Sequence, residues 1–265
     1  MPVFKDQTGR SITLNKTPQR IISLVPSQTE LLYDLGLHGE VIGITKFCVH
    51  PKEWFHSKTR VGGTKQLRID IIDQLQPDLI IANKEENLKE QIEELEKHYP
   101  VWVSDVHNLD DAVCMITDIG GMINKEKKAT LMIDGIKNSF SQLKTTLPPL
   151  RSCYFIWREP YMTIGADTFI HSMMEAAGFE NIFKDHARYP ELSIEELSIQ
   201  CPQLILLSSE PFPFKQKHID ELQPQLPGIK IILVDGEMFS WYGSRLLKSP
   251  GYFLKLRSDL LSSKF

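Results

Sequence analysis

Aromatic and basic side chains recur in the stretches that follow short aliphatic runs. Phe47 does so in the first half of the 265 residues, and Trp157, Arg158, Tyr161, Tyr189, Trp241, Tyr242 and Arg245 in the second. Rings set beside a few guanidinium groups suit a flat, partly apolar, anionic ligand such as a metal chelate. The competing reading puts several of these rings in the core, since Trp and Tyr are mostly buried, so about half are expected to line a cleft. No catalytic constellation accompanies them: the chain has no G-x-S-x-G, H-E-x-x-H, P-loop or G-x-G-x-x-G motif. Gly62-Gly63-Thr64-Lys65 lacks the first glycine that a phosphate loop needs. His50, His56 and His186 fall in loops, where a lone histidine is more often solvated than bound to metal. The expectation is a binding protein rather than an enzyme, with no resident metal and no covalent cofactor.

The elements that must carry these loops are legible in the spacing of apolar residues. Lys125 to Leu147 reads as one helix. Ala129, Met132, Ile133, Ile136, Phe140, Leu143 and Leu147 fall three or four apart, while Lys127, Lys128, Asp134, Lys137 and Lys144 take the other face. Pro148 and Pro149 stop it. On either side the chain repeats. Asp70 to Glu85 and Glu195 to Glu210 each read as a short acidic helix, a proline break (Pro77, Pro202) and an aliphatic strand, at a constant offset of 125 residues. Two α/β halves joined by a helix follow: 1–122, a linking helix at 123–148, and 149–265. Phe4 to Leu14 reads as a small hairpin. Arg20 to Val25 reads as the first core strand, and Ser27 with Glu30 has the spacing of a capping box opening the next helix. The free N–H groups of that helix face the strand end, where open α/β sheets bind ligands.

Composition sets the bounds. A 42% hydrophobic and 24% charged chain describes a soluble globular protein. A net charge of −4 argues against nucleic-acid binding that depends on phosphate neutralisation. Cys48, Cys114, Cys153 and Cys201 are widely spaced and read as small buried apolar residues, not a disulfide frame or zinc site. The stretch from Met1 to Asp6 has no apolar segment of a secretory signal.

Four stretches carry a more specific likeness: Arg20 to Glu30, Leu75 to Ile80, Gly178 to Phe183, and Cys201 to Ile205. Together they resemble the cobalamin and ferric-siderophore binding proteins of bacterial ABC importers, the helical-backbone metal receptors with a single linking helix. The likeness implies two Rossmann-like lobes with parallel sheets on one long helix, and a chelate of cobalamin, siderophore or haem type held between lobes that move little. At positions matching the tryptophans of the cobalamin binder this chain has Thr64, Asn83, Tyr189 and Met238, so Thr64 joins the expected ligand-binding residues and the chelate stays open. The resemblance also implies docking of a monomer to ABC permease subunits through one acidic residue per lobe. The repeat assigns these to Glu85 and Glu210, with Glu86 and Glu90 as alternatives in the first half. A periplasmic or membrane-anchored location is implied. The alternative is a cytoplasmic corrinoid or metal-chelate binder or sensor on the same fold, which the thiols and the N-terminus favour.

Overall fold

The computed structural model describes residues 2–143 and 148–262. The chain forms two compact units. One comprises Met1–Val106, Asp110–Gly135 and Tyr242–Arg245, the other His107–Leu109, Ile136–Trp241 and Leu246–Phe265.

The first unit opens with an antiparallel hairpin, β1 (Val3–Lys5) and β2 (Ser11–Thr13). Strand β3 (Ile21–Ser23) leads into helix α1 (Pro26–Asp34), and β4 (Val41–Ile44) is followed by α2 (Lys52–Ser57) and β5 (Thr59–Arg60). A short ribbon, β6 (Gly62–Gly63) with β7 (Gln66–Leu67), precedes α3 (Ile69–Leu75) and β8 (Leu79–Asn83). Then come α4 (Lys89–Glu96), β9 (Val101–Ser104), α5 (Leu109–Met122) and α6 (Glu126–Ser141). The main sheet is parallel, in the order β5-β4-β3-β8-β9. Every residue of β3, β8 and β9 is buried, as unbroken aliphatic runs require of strands covered on both faces.

The second unit repeats this plan around β10 (Leu150–Phe155), α7 (Phe169–Ala176), β11 (Phe179–Asn181) and α8 (Ile194–Gln200). It continues through β12 (Leu204–Ser208), α9 (Gln216–Leu222), β13 (Lys230–Val234), α10 (Glu237–Ser240) and α11 (Ser249–Ser262). Its sheet is parallel in the order β11-β10-β12-β13. Cys153, Phe155, Ile205, Leu207 and Ile231 form its core with Phe183 and Phe214. The architecture is thus α/β, two Rossmann-like lobes whose chain runs from one to the other through α6. Because the strands of each sheet are parallel, the loops after them gather at one edge.

The repeat runs deeper than its sequence. Helices α3 and α8 both end on a left-handed residue, Gln76 at φ 43° and Cys201 at φ 46°. The Arg20 guanidinium donates to the carbonyls of Leu75 and Gln76, and the Arg151 guanidinium to those of Gln200 and Cys201. The Arg20 N–H donates to Asp78 and the Arg151 N–H to Gln203. In each unit one arginine therefore satisfies the last carbonyls of the helix, which have no partner within it.

Four expectations are corrected. Helix α6 spans 16 residues, not the longer run to Leu147. Its last turn tightens to i→i+3 bonds at Gln142 and Leu143, and Lys144 and Leu147 lie outside the described residues. Of its expected stripe, Ala129, Ile133 and Ile136 are buried and Met132, Phe140 and Leu143 half-buried, and Gly120 is required because a Cβ there would stand 2.5 Å from that of Ala129. The Ser27–Glu30 capping box does not form: Pro26 opens α1, Val25 occupies the cap position, and Glu30 turns to Arg245 instead. Cys114 and Cys201 are exposed, while Cys48 and Cys153 are buried. Finally, the loops holding Trp54 and Met238 contain the short helices α2 and α10.

Candidate functional site

In the first unit, the loop after β4 is pinned from below. The Thr45 hydroxyl lies 3.2 Å and that of Thr29 3.1 Å from the buried Cys48 sulfur. Burial pushes the Cys48 thiol up, so it acts as a neutral packing group. With Cys48 turned in, Lys46 and Phe47 turn out. Phe47 is 51% exposed, and the Lys46 ammonium sits 5.1 Å from its ring centroid. Gly63 backs this pair: a Cβ there would come 3.1 Å from Lys46 and 3.2 Å from Phe47. Thr64, next in the chain, is half-buried, and its carbonyl accepts from the Asn87 amide at 3.0 Å. The structure thus sets Thr64 beside the Gly63 that Phe47 touches.

Asn83, at one of the positions matching a tryptophan, is buried and committed elsewhere. Its amide donates to Ser104, and its oxygen accepts the N–H groups of Glu85 and Glu86. Gln28 joins this network by donating to Ser104. These buried amides close the ends of β8 and β9, and periodicity gave no hint of them.

In the second unit, two segments pair edge to edge after β10 and β11. Met162 N–H donates to Trp157 O, Thr163 N–H to Pro190 O and Gly165 N–H to Arg188 O. Only glycine allows the last contact, since a Cβ at position 165 would lie 2.3 Å from the His186 carbonyl. This pairing joins the segment that carries Trp157 and Tyr161 to the one that carries Tyr189. Trp157 is 42% exposed and meets Phe212 edge-on at 5.8 Å. Tyr161 and Tyr189 are half-buried, the first tilted against Phe155 at 5.3 Å. The exposed Arg188, which the residue pattern did not single out, places its guanidinium 5.5 Å from the Tyr189 ring centroid.

The remaining expected residues are used inside the fold. Arg158 pairs with Glu221 at 2.9 Å and lies near Glu159, so its charge is partly met within the unit. Trp241, Tyr242 and Arg245 are 5%, 6% and 7% exposed. Arg245 donates to Glu30 at 2.9 Å, and both side chains are buried. Two charges leaving water together hold each other; the acidic partner lies 215 positions away, which no local pattern reveals. Gly243 fits against the Ser27 carbonyl, 2.6 Å from where a Cβ would stand.

The two glutamates expected to dock differ. Glu85 is half-buried, and the neighbouring Glu90 is exposed. The Glu210 carboxylate accepts the Ser240 hydroxyl at 2.5 Å and the Trp241 indole N–H at 2.8 Å. Burial raises its pKa against the lowering effect of those two donors, and Glu237 and Asp235 raise it further. His50, His56 and His186 converge on no metal site: the described residues hold no group of three or more His, Cys, Asp or Glu able to bind one.

Known proteins place the fold. The vitamin B12-binding protein of Pectobacterium carotovorum is 27% identical over 238 residues, covering 87% of this chain and 85% of that one. Among solved structures, the periplasmic vitamin B12-binding protein of Vibrio cholerae superposes with a TM-score of 0.77 at 22% identity, covering 91% of this chain and 98% of that one. A periplasmic haem-binding protein from Pseudomonas aeruginosa gives 0.78 at 18% identity, with 94% of each chain covered. The pattern of one family spans residues 21–228, so the chain belongs to the periplasmic binding protein family.

Proposed function

We propose that this chain is the substrate-binding component of an ABC importer and captures a metal chelate without making or breaking a bond. The observation that supports this reading is the paired loop of the second unit, where the exposed Trp157 lies on one segment and the adjoining segment carries Tyr189 with the Arg188 guanidinium over its ring. Rings that offer flat apolar area and a cation for carboxylate or phosphate groups match an anionic tetrapyrrole or a ferric siderophore. Phe47 and Thr64 are the matching candidates in the first unit. Membership of the family and the similarity to vitamin B12-binding proteins support the same class of ligand. On this reading the protein works outside the cytoplasm, and an acidic residue of each unit steers it onto the permease. Glu85, with Glu90 close by, remains the candidate in the first unit, since complementary charge raises the rate of encounter more than the affinity.

The test is a thermal-shift and fluorescence screen against cyanocobalamin, hemin and ferric siderophores, because a ligand that binds only the folded state raises its stability by mass action. A hit should weaken about tenfold or more in Trp157→Ala while the unfolding midpoint of the free protein stays put, as expected when a ring contacts ligand rather than core. A change that unfolds the protein and leaves the affinity of the folded fraction intact would make Trp157 a core residue. Absence of binding across the whole screen would count against chelate capture.

A further inference from the structure

Glu210 occupies the place in the second repeat that Glu85 occupies in the first, and its side chain accepts from two donors at once. We propose that Glu210 is a positioning residue: its carboxyl group holds α10 and the Trp241 indole at the carboxyl end of β12, and its proton state sets how firmly they are held.

The contacts converge on one carboxyl group. Ser240, the last residue of α10, donates its hydroxyl at 2.5 Å, and the Trp241 indole donates at 2.8 Å to the same oxygen. The backbone is pressed against the same stem. A Cβ at Gly236 would come 2.7 Å from Glu210 Cγ and 2.3 Å from Ser208 Oγ, so the approach of this turn to Glu210 depends on glycine. Gly236 N–H donates to Ser209 Oγ at 2.9 Å, and Glu237 N–H to Asp235 at 3.1 Å. The segments 208–210 and 235–241 are therefore closed on each other by three bonds that involve side chains, two of them accepted by Glu210 and one by Ser209.

The surrounding charges make that acceptor sensitive to protons. Asp235, from the end of β13, and Glu237, from α10, both disfavour the ionised form, as does burial, while Ser240 and Trp241 favour it. The other titratable groups nearby are Tyr154 on β10, which donates to Ser208, and Tyr252 on α11, whose oxygen accepts from Asp235 N–H. Both phenols are pushed up by burial and stay neutral, so their charge does not change in the carboxylate range. Once Glu210 ionises, the two donor bonds become charge-assisted and shorter. Any effect on chelate affinity rests on the function proposed above, but the holding of Trp241 does not, and ligand-free protein tests it alone.

In isotope-labelled ligand-free protein, the Trp241 indole N–H resonance is identified by its loss in Trp241→Phe. It should move downfield through a single titration as pH rises above the ordinary carboxylate range. In Glu210→Gln, which keeps an oxygen acceptor but cannot ionise, the resonance should hold still over the same range. In Glu210→Ala its exchange with solvent should accelerate about tenfold or more, the loss expected for a hydrogen bond to a charged group. A titration that persists unchanged in Glu210→Gln belongs to Asp235 or Glu237 and overturns the assignment, as does equal exchange in Glu210→Ala. If Glu210→Ala does not fold, the pH response of Glu210→Gln against the parent decides alone. Failure here leaves chelate capture standing, and a failed ligand screen leaves the role of Glu210 standing.

Discussion

The two copies of the helix–break–strand unit share their frame and part company at the strand ends. In both, an arginine caps the helix, a left-handed residue ends it, a proline follows, and a fully buried strand of five residues runs to a polar side chain. Asn83 and Ser208 are those side chains, and each accepts the N–H of the glutamate two residues on. Beyond that point the units diverge. The first closes over: β3 runs almost directly into α1, and residues 21–32 are all buried. The second opens out into the paired loop that carries the exposed Trp157. The shared frame is what two similar cores demand, and the divergent ends are where a family with one fold can hold different ligands.

The largest effect expected from breaking this comparison lies in the closed region of the first unit. Arg245→Ala strands Glu30 as a buried charge and should cost about 3–5 kcal/mol in urea unfolding, whereas replacing both partners with Met should cost much less. Equal losses in the two proteins would mean that packing, not charge, holds the segment.

Next come equivalent core positions. Ile80→Ala and Ile205→Ala should each cost about 2–5 kcal/mol, with the size set by how far each site collapses. The thiols report the two units separately. Cys48 belongs to the first and Cys153 to the second, and both are buried, with Cys153 pushed up to about 12 by its burial. The exposed Cys114 and Cys201 should react with a thiol reagent at once, and the buried pair only when their own unit opens. Ile80→Ala should speed labelling of Cys48 more than of Cys153, and Ile205→Ala the reverse. Equal acceleration of both would show the units unfolding as one.

The smallest effects are at the helix ends. Gln76→Gly and Cys201→Gly each place glycine where φ is positive and should raise stability by about 0.5–1 kcal/mol. The gain at Gln76 should be the lower, because the amide bond it loses to Asp73 O at 2.7 Å is stronger than the thiol bond that Cys201 loses to Ser198 O at 2.9 Å. A loss at both positions would show that side-chain contacts outweigh backbone strain there.

Much of this was legible in the sequence because it is local or periodic. The stripe of α6 follows from spacing, the strands from aliphatic runs, and the two halves from a repeat at fixed offset. The N-terminal hairpin appears where its turn residues fall, around Gly9 at φ 93°. The pairing of the 157–165 segment with residues 188–190 was not legible, because its backbone hydrogen bonds join positions about 25 residues apart.

The sequence by itself determined the core strands, the order of the two halves and the family, since each depends on residues a few positions apart or on a pattern spread along the whole chain. Tertiary structure alone decided how far each candidate side chain is buried. Trp241, Tyr242 and Arg245 carry the same chemistry on paper as Trp157, Tyr189 and Arg188. The first three are buried against partners such as Glu210 and Glu30. Those partners lie 31 and 215 residues away in the chain. Whether a ring or a charge faces water is set by what folds over it, and that information is in the pairing of distant segments rather than in any one of them.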